Sequence, residues 1–243
     1  ENLVDKYDEE AVWLIQHWWS NPSQKLLEGI GDYRDEHTMI LNLTAVPNSG
    51  DGAGSTGIPD DAKFNNTPWV YCMLESFGGA PSLDANLEAM SKIPQLVKEK
   101  GNTTLQGIGI ISEATLDVPV AYDLLWEMAW EDTNIDLDQW IENYITRRYG
   151  EYSESAYEAW MILKETAYSW SRGPVHSLAS KNPDLNLSMD QIRYSTSDLE
   201  KALVLFLKDY DNLSQSEGYL FDLSELVCLL YTSPSPRDVE ESR

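Results

Sequence analysis

The chain has 243 residues, 42% of them hydrophobic and 11% aromatic, enough for one large core or two modest ones. Seventeen basic residues against 41 acidic ones give a formal charge of −24, which repels phosphate backbones and anionic lipid surfaces. Nucleic acid is therefore excluded as a partner. Membrane insertion is excluded too, because no apolar run approaches the roughly 20 residues of a spanning helix.

The first half alternates. Ala11 to Trp18 is a short apolar run, Ser23 to Arg34 has helical spacing with Leu26, Leu27 and Ile30 on one face, and Thr38 to Val46 is rich in strand formers. Residues 48–66 form a polar loop broken by Gly50, Gly52, Gly54, Gly57 and Pro59. It is long for a simple connection and is expected near the working face. Trp69 to Leu74 is the next strand, ending in Glu75, Ser76, Phe77 and the turn-permitting pair Gly78 and Gly79. Asp84 to Lys100 reads as one helix with a stripe of Leu87, Met90, Ile93, Leu96 and Val97. Leu105 to Ile111 is the fourth strand, and it delivers Glu113.

Beyond Pro119 only helical periods follow. Val120 to Trp130 places Tyr122, Leu125, Trp126 and Ala129 at i, i+3, i+4 and i+7, and Leu137 to Tyr149 and Ser155 to Trp170 continue the pattern. After a loop holding Gly173, Pro174 and Pro183 come two more helical stretches, Met189 to Tyr210 and Glu217 to Tyr231. The fold class is α/β plus all-α. Four strand-helix units fit the C-terminal half of a TIM-like (β/α)8 barrel over residues 1–131, since a complete barrel takes about 250 residues. An incomplete α-helical domain is expected over 132–231, and a disordered or foreign tail over 232–243. The half barrel would leave open sheet edges, and residue 1 is not Met, so the natural protein is expected to extend upstream.

The cysteines and histidines carry little chemistry. Cys72 lies in an apolar strand and reads as a buried thiol; Cys72 and Cys228 are too few for a disulfide framework. His17, His37 and His176 lack metal-ligand spacing, so neither metal nor cofactor is expected. Glu113 is different. The carboxyl ends of barrel strands carry the chemistry, so an acid there can reach a substrate; it can equally serve as the charge partner of a helix N-terminus.

The motifs Trp13-Leu14-Ile15-Gln16-His17-Trp18, Trp69 to Gly79 (WVYCMLESFGG), Thr104 to Glu113 (TLQGIGIISE) and Arg147-Arg148-Tyr149-Gly150 stand in order. Together they resemble the α-N-acetylglucosaminidase family of glycoside hydrolases, family 89, across roughly residues 9–170. The resemblance implies a retaining glycosidase that removes terminal α-linked N-acetylglucosamine from glycans. Such chemistry uses two carboxyl groups about 5 Å apart, one attacking the anomeric carbon and one protonating the leaving oxygen. Glu113 matches the nucleophile; the family's acid/base glutamate lies on an earlier strand, upstream of residue 1, so these residues alone are expected to be inactive.

The same resemblance carries over a sugar-facing wall of Trp18, Leu43, Leu74 and Phe77. An apolar cup of this kind accepts an acetamido methyl and the carbon face of a pyranose. Read without the resemblance, the four would be barrel-core residues. Trp13 and Trp69 are expected to pack behind the sheet. Glu75 either hydrogen-bonds sugar hydroxyls or is a solvated loop acid, and His176 follows a Gly173-Pro174 turn from which the family supplies a pocket histidine, the other reading being a surface loop residue.

Departures from the family pattern fall at strand ends. Asn42 and Val46 replace an aspartate and a glutamate, Glu75 and Ser76 a histidine and an asparagine, Ala114 a glycine and Val118 an asparagine. These changes are expected to spare the fold and to alter substrate preference. A catalytically inactive glycan-binding relative and a helical interaction protein with an accidental barrel resemblance are the alternatives. Sequons at Asn42, Asn65, Asn102, Asn186 and Asn212 suit an extracellular or lysosomal protein, and a bacterial exported enzyme is equally compatible.

Overall fold

The computed structural model describes residues 6–17, 22–31, 36–43, 64–75, 85–101, 103–112, 118–169 and 194–232. Four strands come first: β1 (Trp13–His17), β2 (Thr38–Asn42), β3 (Trp69–Glu75) and β4 (Leu105–Ser112). They form one sheet in the order β1-β2-β3-β4, and every pairing is parallel. Parallel neighbours require crossover connections; α1 (Gln24–Ile30) lies in the one between β1 and β2, and α2 (Leu87–Met90) and α3 (Ile93–Lys100) in the one between β3 and β4. The register runs His17 against Asn42 and Leu74 against Ile111, so the strands finish at a common edge.

Strand alternation sorts the two faces of the sheet. Ile40, Trp69, Tyr71 and Met73 are buried in the same cluster as Leu27, Leu87, Met90 and Val97, with Ile108 and Ile110 packed against it; this is the helix-covered face. The opposite face carries Leu41, Val70, Cys72, Gly107, Gly109 and Ile111. Gly109 packs closely there: a Cβ would come within 3.1 Å of Cys72 Sγ and 3.4 Å of Val70 Cγ1. Cys72 is a buried thiol, as its strand context implies, and burial pushes its pKa up to about 11, which keeps it protonated and unreactive.

The helix expected over Asp84 to Lys100 is two helices. Pro94 has no N–H to donate to the Met90 carbonyl and its ring crowds it, so α2 ends at Met90 and Pro94 sits in the first turn of α3. The apolar stripe survives the break, with Leu87, Met90, Ile93 and Val97 all buried. Trp69 is fully buried behind the sheet, as expected. Trp13 shares that face with Ile15 and His17, and on the edge strand β1 it remains 39% exposed.

The second half is helical: α4 (Pro119–Met128), α5 (Leu137–Tyr149), α6 (Glu154–Glu165), α7 (Thr196–Lys208), α8 (Tyr210–Leu213) and α9 (Glu217–Thr232). Side-chain caps begin several of them, with Asp136, Ser153 and Ser195 accepting from the N–H groups of Gln139, Ala156 and Asp198. Gly150, at φ 90°, ends α5 in the left-handed conformation that an L side chain resists. In α4 the packing face differs from the expected one. Val120, Ala121, Leu124, Leu125 and Met128 are buried while Trp126 and Ala129 face solvent, because a helix apolar nearly all round offers more than one self-consistent stripe.

A buried polar knot joins α5 to α9. The Asp222 carboxylate accepts two hydrogen bonds from Arg148 Nε and one at 2.8 Å from Nη2, and one each from the hydroxyls of Tyr144 and Tyr149. Trp160 Nε1 of α6 donates in turn to the Tyr149 hydroxyl at 2.8 Å. Burial pushes the Asp222 carboxyl upward, and the guanidinium and hydroxyl donors oppose that shift.

Candidate active site

The common carboxyl edge of the sheet positions the candidate site. Leu43 follows directly on β2; its N–H donates to the His17 carbonyl at 3.1 Å, and its side chain is buried, 7% exposed, without joining the helix-side cluster. Leu74 and Glu75 are the last two residues of β3, in register with Ile111 and Ser112 of β4. Trp18 follows the last residue of β1. Trp18, Phe77, Glu113 and His176 lie outside the described residues, so Leu43 and the backbone of Leu74 and Glu75 are the parts of the expected site on view.

A second set of residues at this edge, His17, Asn42 and Phe64, was not linked by sequence, which named His17 and Asn42 separately. His17 and Asn42 are register partners at the ends of β1 and β2, and His17 Nδ1 lies 2.8 Å from Asn42 Oδ1. With the amide oxygen as acceptor, Nδ1 carries the proton. Phe64 packs edge-on to His17 at 4.8 Å between centroids and to Trp69 at 5.6 Å. The set therefore belongs to the helix-covered side of the sheet. The alternation of residues did hold a signal, since Asn42 shares a face with Ile40; the arrival of Phe64 from a long loop held none.

This placement corrects two expectations about Asn42. It is fully buried and bonded to His17, so its exchange for the family's aspartate falls behind the sheet rather than on the substrate face. It is also no glycan acceptor in the folded chain. Among the other sequons, Asn212 is exposed on α8 and Asn65 is partly buried, while Asn102 and Asn186 lie outside the described residues.

Val118 also takes on a clear role. It precedes α4 in the left-handed region at φ 51° and ψ 44°, fully buried, and its N–H donates to Glu225 Oε1 of α9 at 2.9 Å. The family's asparagine suits that backbone, whereas a β-branched side chain is strained in it. The departure at this position is thus a conformational matter. Among the described residues no group of three or more His, Cys, Asp or Glu could hold a metal ion, and no helix is long and apolar enough to cross a membrane.

Parallel strands joined through helices, a shared carboxyl edge and a following helical domain define the class: a TIM-barrel-type domain with an appended α-helical domain. The alpha-N-acetylglucosaminidase (NAGLU) tim-barrel domain matches residues 1–132, and the C-terminal domain of the same family matches residues 140–230. The chain belongs to the α-N-acetylglucosaminidase family, glycoside hydrolase family 89.

Human alpha-N-acetylglucosaminidase is 30% identical over 233 residues, covering 90% of this chain and 30% of the relative. A family 89 glycoside hydrolase from Clostridium perfringens, solved in complex with PUGNAc, superposes with a TM-score of 0.78 at 32% identity, covering 95% of this chain and 26% of that one. The same enzyme with two glutamates replaced by glutamine, solved with its substrate GlcNAc-alpha-1,4-galactose, matches equally well. The chain therefore spans less than a third of the length of these relatives.

Proposed function

We propose that this chain is part of a retaining exo-glycosidase that removes terminal α-linked N-acetylglucosamine from glycans. Glu113 is the nucleophile in this reading. Trp18, Leu43, Leu74 and Phe77 form the cup around the sugar ring and its acetamido group, and Glu75 and His176 reach its hydroxyls. The supporting observation is the match at 32% identity over 95% of the chain to a hydrolase bound to GlcNAc-alpha-1,4-galactose with two of its glutamates changed to glutamine.

The strand geometry is consistent with these roles. Gly107, Gly109 and Ile111 share the face turned away from the helices, at the end of the strand that Glu113 follows in sequence. Leu41, Val70 and Cys72 share that face, and Leu43 follows directly on β2. Attack by Glu113 on the anomeric carbon would form a glycosyl-enzyme, and a second carboxyl about 5 Å away would protonate the leaving oxygen and then activate water. No position in these 243 residues matches the family's acid/base glutamate, so we assign it to preceding barrel sequence. Residues 1–131 are taken as barrel, 132–231 as helical domain and 232–243 as a tail without function.

Membership of the family removes the reading of an accidental barrel resemblance. A catalytically silent glycan binder still draws on Val46, Glu75, Ser76 and Ala114, but no longer on Asn42, which lies on the other face of the sheet. The proposed location is extracellular or lysosomal, which the exposed Asn212 sequon suits. The test is hydrolysis of an aryl N-acetyl-α-glucosaminide. The 243 residues alone are expected to be inactive, and the chain extended by its upstream barrel sequence active; activity of the short chain, or inactivity of the extended one, contradicts the proposal.

A further inference from the structure

Helix α4 turns an unusual face to solvent. Asp123, Trp126 and Glu127 of α4, Trp130 from the turn just beyond it and Arg147 from the last turn of α5 line one depression of about 320 Å³. Trp126 is 47% exposed and Trp130 88% exposed, in a chain whose Trp69, Trp140 and Trp160 are buried. An indole left in water forgoes the largest apolar burial any side chain offers, so two of them on one concave surface call for a ligand.

The polar groups narrow its chemistry. Asp123 is half-buried, and its carboxylate accepts no hydrogen bond from the described residues. Burial raises its pKa, and the charges of Arg148 and Arg147 only partly offset that. The depression thus offers flat π faces, carboxylate acceptors in Asp123 and Glu127, and a guanidinium donor in Arg147. A pyranose has the matching parts: an apolar face of C–H groups for an indole, and hydroxyls around its rim that both donate and accept. The volume lies at the small end of the roughly 300–1,000 Å³ range of ligand sites, suited to a single sugar unit.

We propose that the Trp126–Trp130 face is a glycan-binding subsite that holds one pyranose of an oligosaccharide. It lies on the solvent side of α4, lined by none of the residues assigned above to the catalytic site. The inference does not depend on the assignment of the nucleophile. Its role would be to hold a glycan against the protein while another residue of the same chain is processed.

Fluorine NMR of the full chain labelled with 5-fluorotryptophan tests it, using GlcNAc-α-1,4-galactose as the probe. The Trp126 and Trp130 resonances are expected to shift saturably with sugar and to keep doing so in Glu113→Gln and Phe77→Ala. Trp130→Ala should weaken binding by about fivefold or more at the remaining Trp126 resonance, as truncation of an aromatic anchor does. Because Trp130 is almost wholly exposed, this variant should fold. Resonances that ignore the sugar, or that move with protein concentration instead and so mark a contact between copies, overturn the proposal. Loss of the shifts in Phe77→Ala but not in Trp130→Ala would also overturn it, while leaving the Glu113 site standing.

Discussion

Val118 and Glu225, 107 residues apart, are joined by a 2.9 Å hydrogen bond from the Val118 N–H to the Glu225 carboxylate. The bond fastens the left-handed residue that precedes α4 to α9, the last described helix. Removing the acceptor in Glu225→Ala leaves a buried N–H unsatisfied and is expected to cost about 1–3 kcal/mol. Val118→Asn should go the other way. It relieves a left-handed β-branched residue and supplies a side-chain cap, a gain of about 1 kcal/mol after the lost apolar burial. Urea unfolding of the two variants, with opposite shifts of the midpoint, is the measurement.

Gly218 of α9 packs directly against the backbone of Arg148 in α5. A Cβ there would stand 2.6 Å from the carbonyl oxygen of Arg148 and 2.6 Å from its Cγ, and a backbone oxygen cannot turn aside. Gly218→Ala should therefore destabilise by about 2–3 kcal/mol as the helices are forced apart. Gly29, inside α1 with open space around it, is the contrast: alanine there should stabilise by about 0.5–1 kcal/mol. Thermal melts of the two alanine variants should move in opposite directions.

Asp222 sits 4% exposed at the centre of the α5–α9 knot. Asp222→Ala leaves Arg148 and two tyrosine hydroxyls without their acceptor and is expected to cost about 3–5 kcal/mol. Replacing the knot as a whole, with Asp222→Leu and Arg148→Met together, should recover much of that loss. A double-mutant cycle by chemical denaturation separates the two effects.

The Asp209 carboxylate accepts from Ser153 Oγ at 2.5 Å and from Ser155 Oγ at 3.1 Å, and these hydrogen bonds, the Ser153 one foremost, hold its pKa below the ordinary value. A depressed folded pKa gives stability that is present above the unfolded value, about 4, and is lost as pH falls through the folded one. Asp209→Asn should therefore be less stable than the parent at neutral pH. The gap should narrow as the pH drops below about 4, read from melting temperatures across that window.

Much of the fold was legible because strand and helix periods differ, and each parallel strand carries a run of apolar residues that a crossover helix must cover. The alternation gave β3 and β4 to within a residue of their observed limits and located β1, β2 and α1, with α1 and β2 drawn four residues too long at their C-terminal ends. It could not phase α4, where apolar residues on all sides leave the stripe undetermined, and so it placed the exposed Trp126 in the core. It read across Pro94 because the apolar spacing continues through the break. At the site, the motif order pointed to the family, while the contacts that tie Asn42 to His17 and Val118 to Glu225 depend on register and long-range packing that no local pattern encodes.

Glu113 is the proposed nucleophile of an α-N-acetylglucosaminidase site. The most direct measurement is mass spectrometry of the upstream-extended chain after brief acid quench during turnover of an activated N-acetyl-α-glucosaminide, with peptides mapped for a covalently attached sugar. The account predicts one added N-acetylhexosamine on the peptide containing Glu113, and loss of both label and turnover in Glu113→Gln. Undiminished turnover by Glu113→Gln, or a label on a different carboxylate, would contradict it.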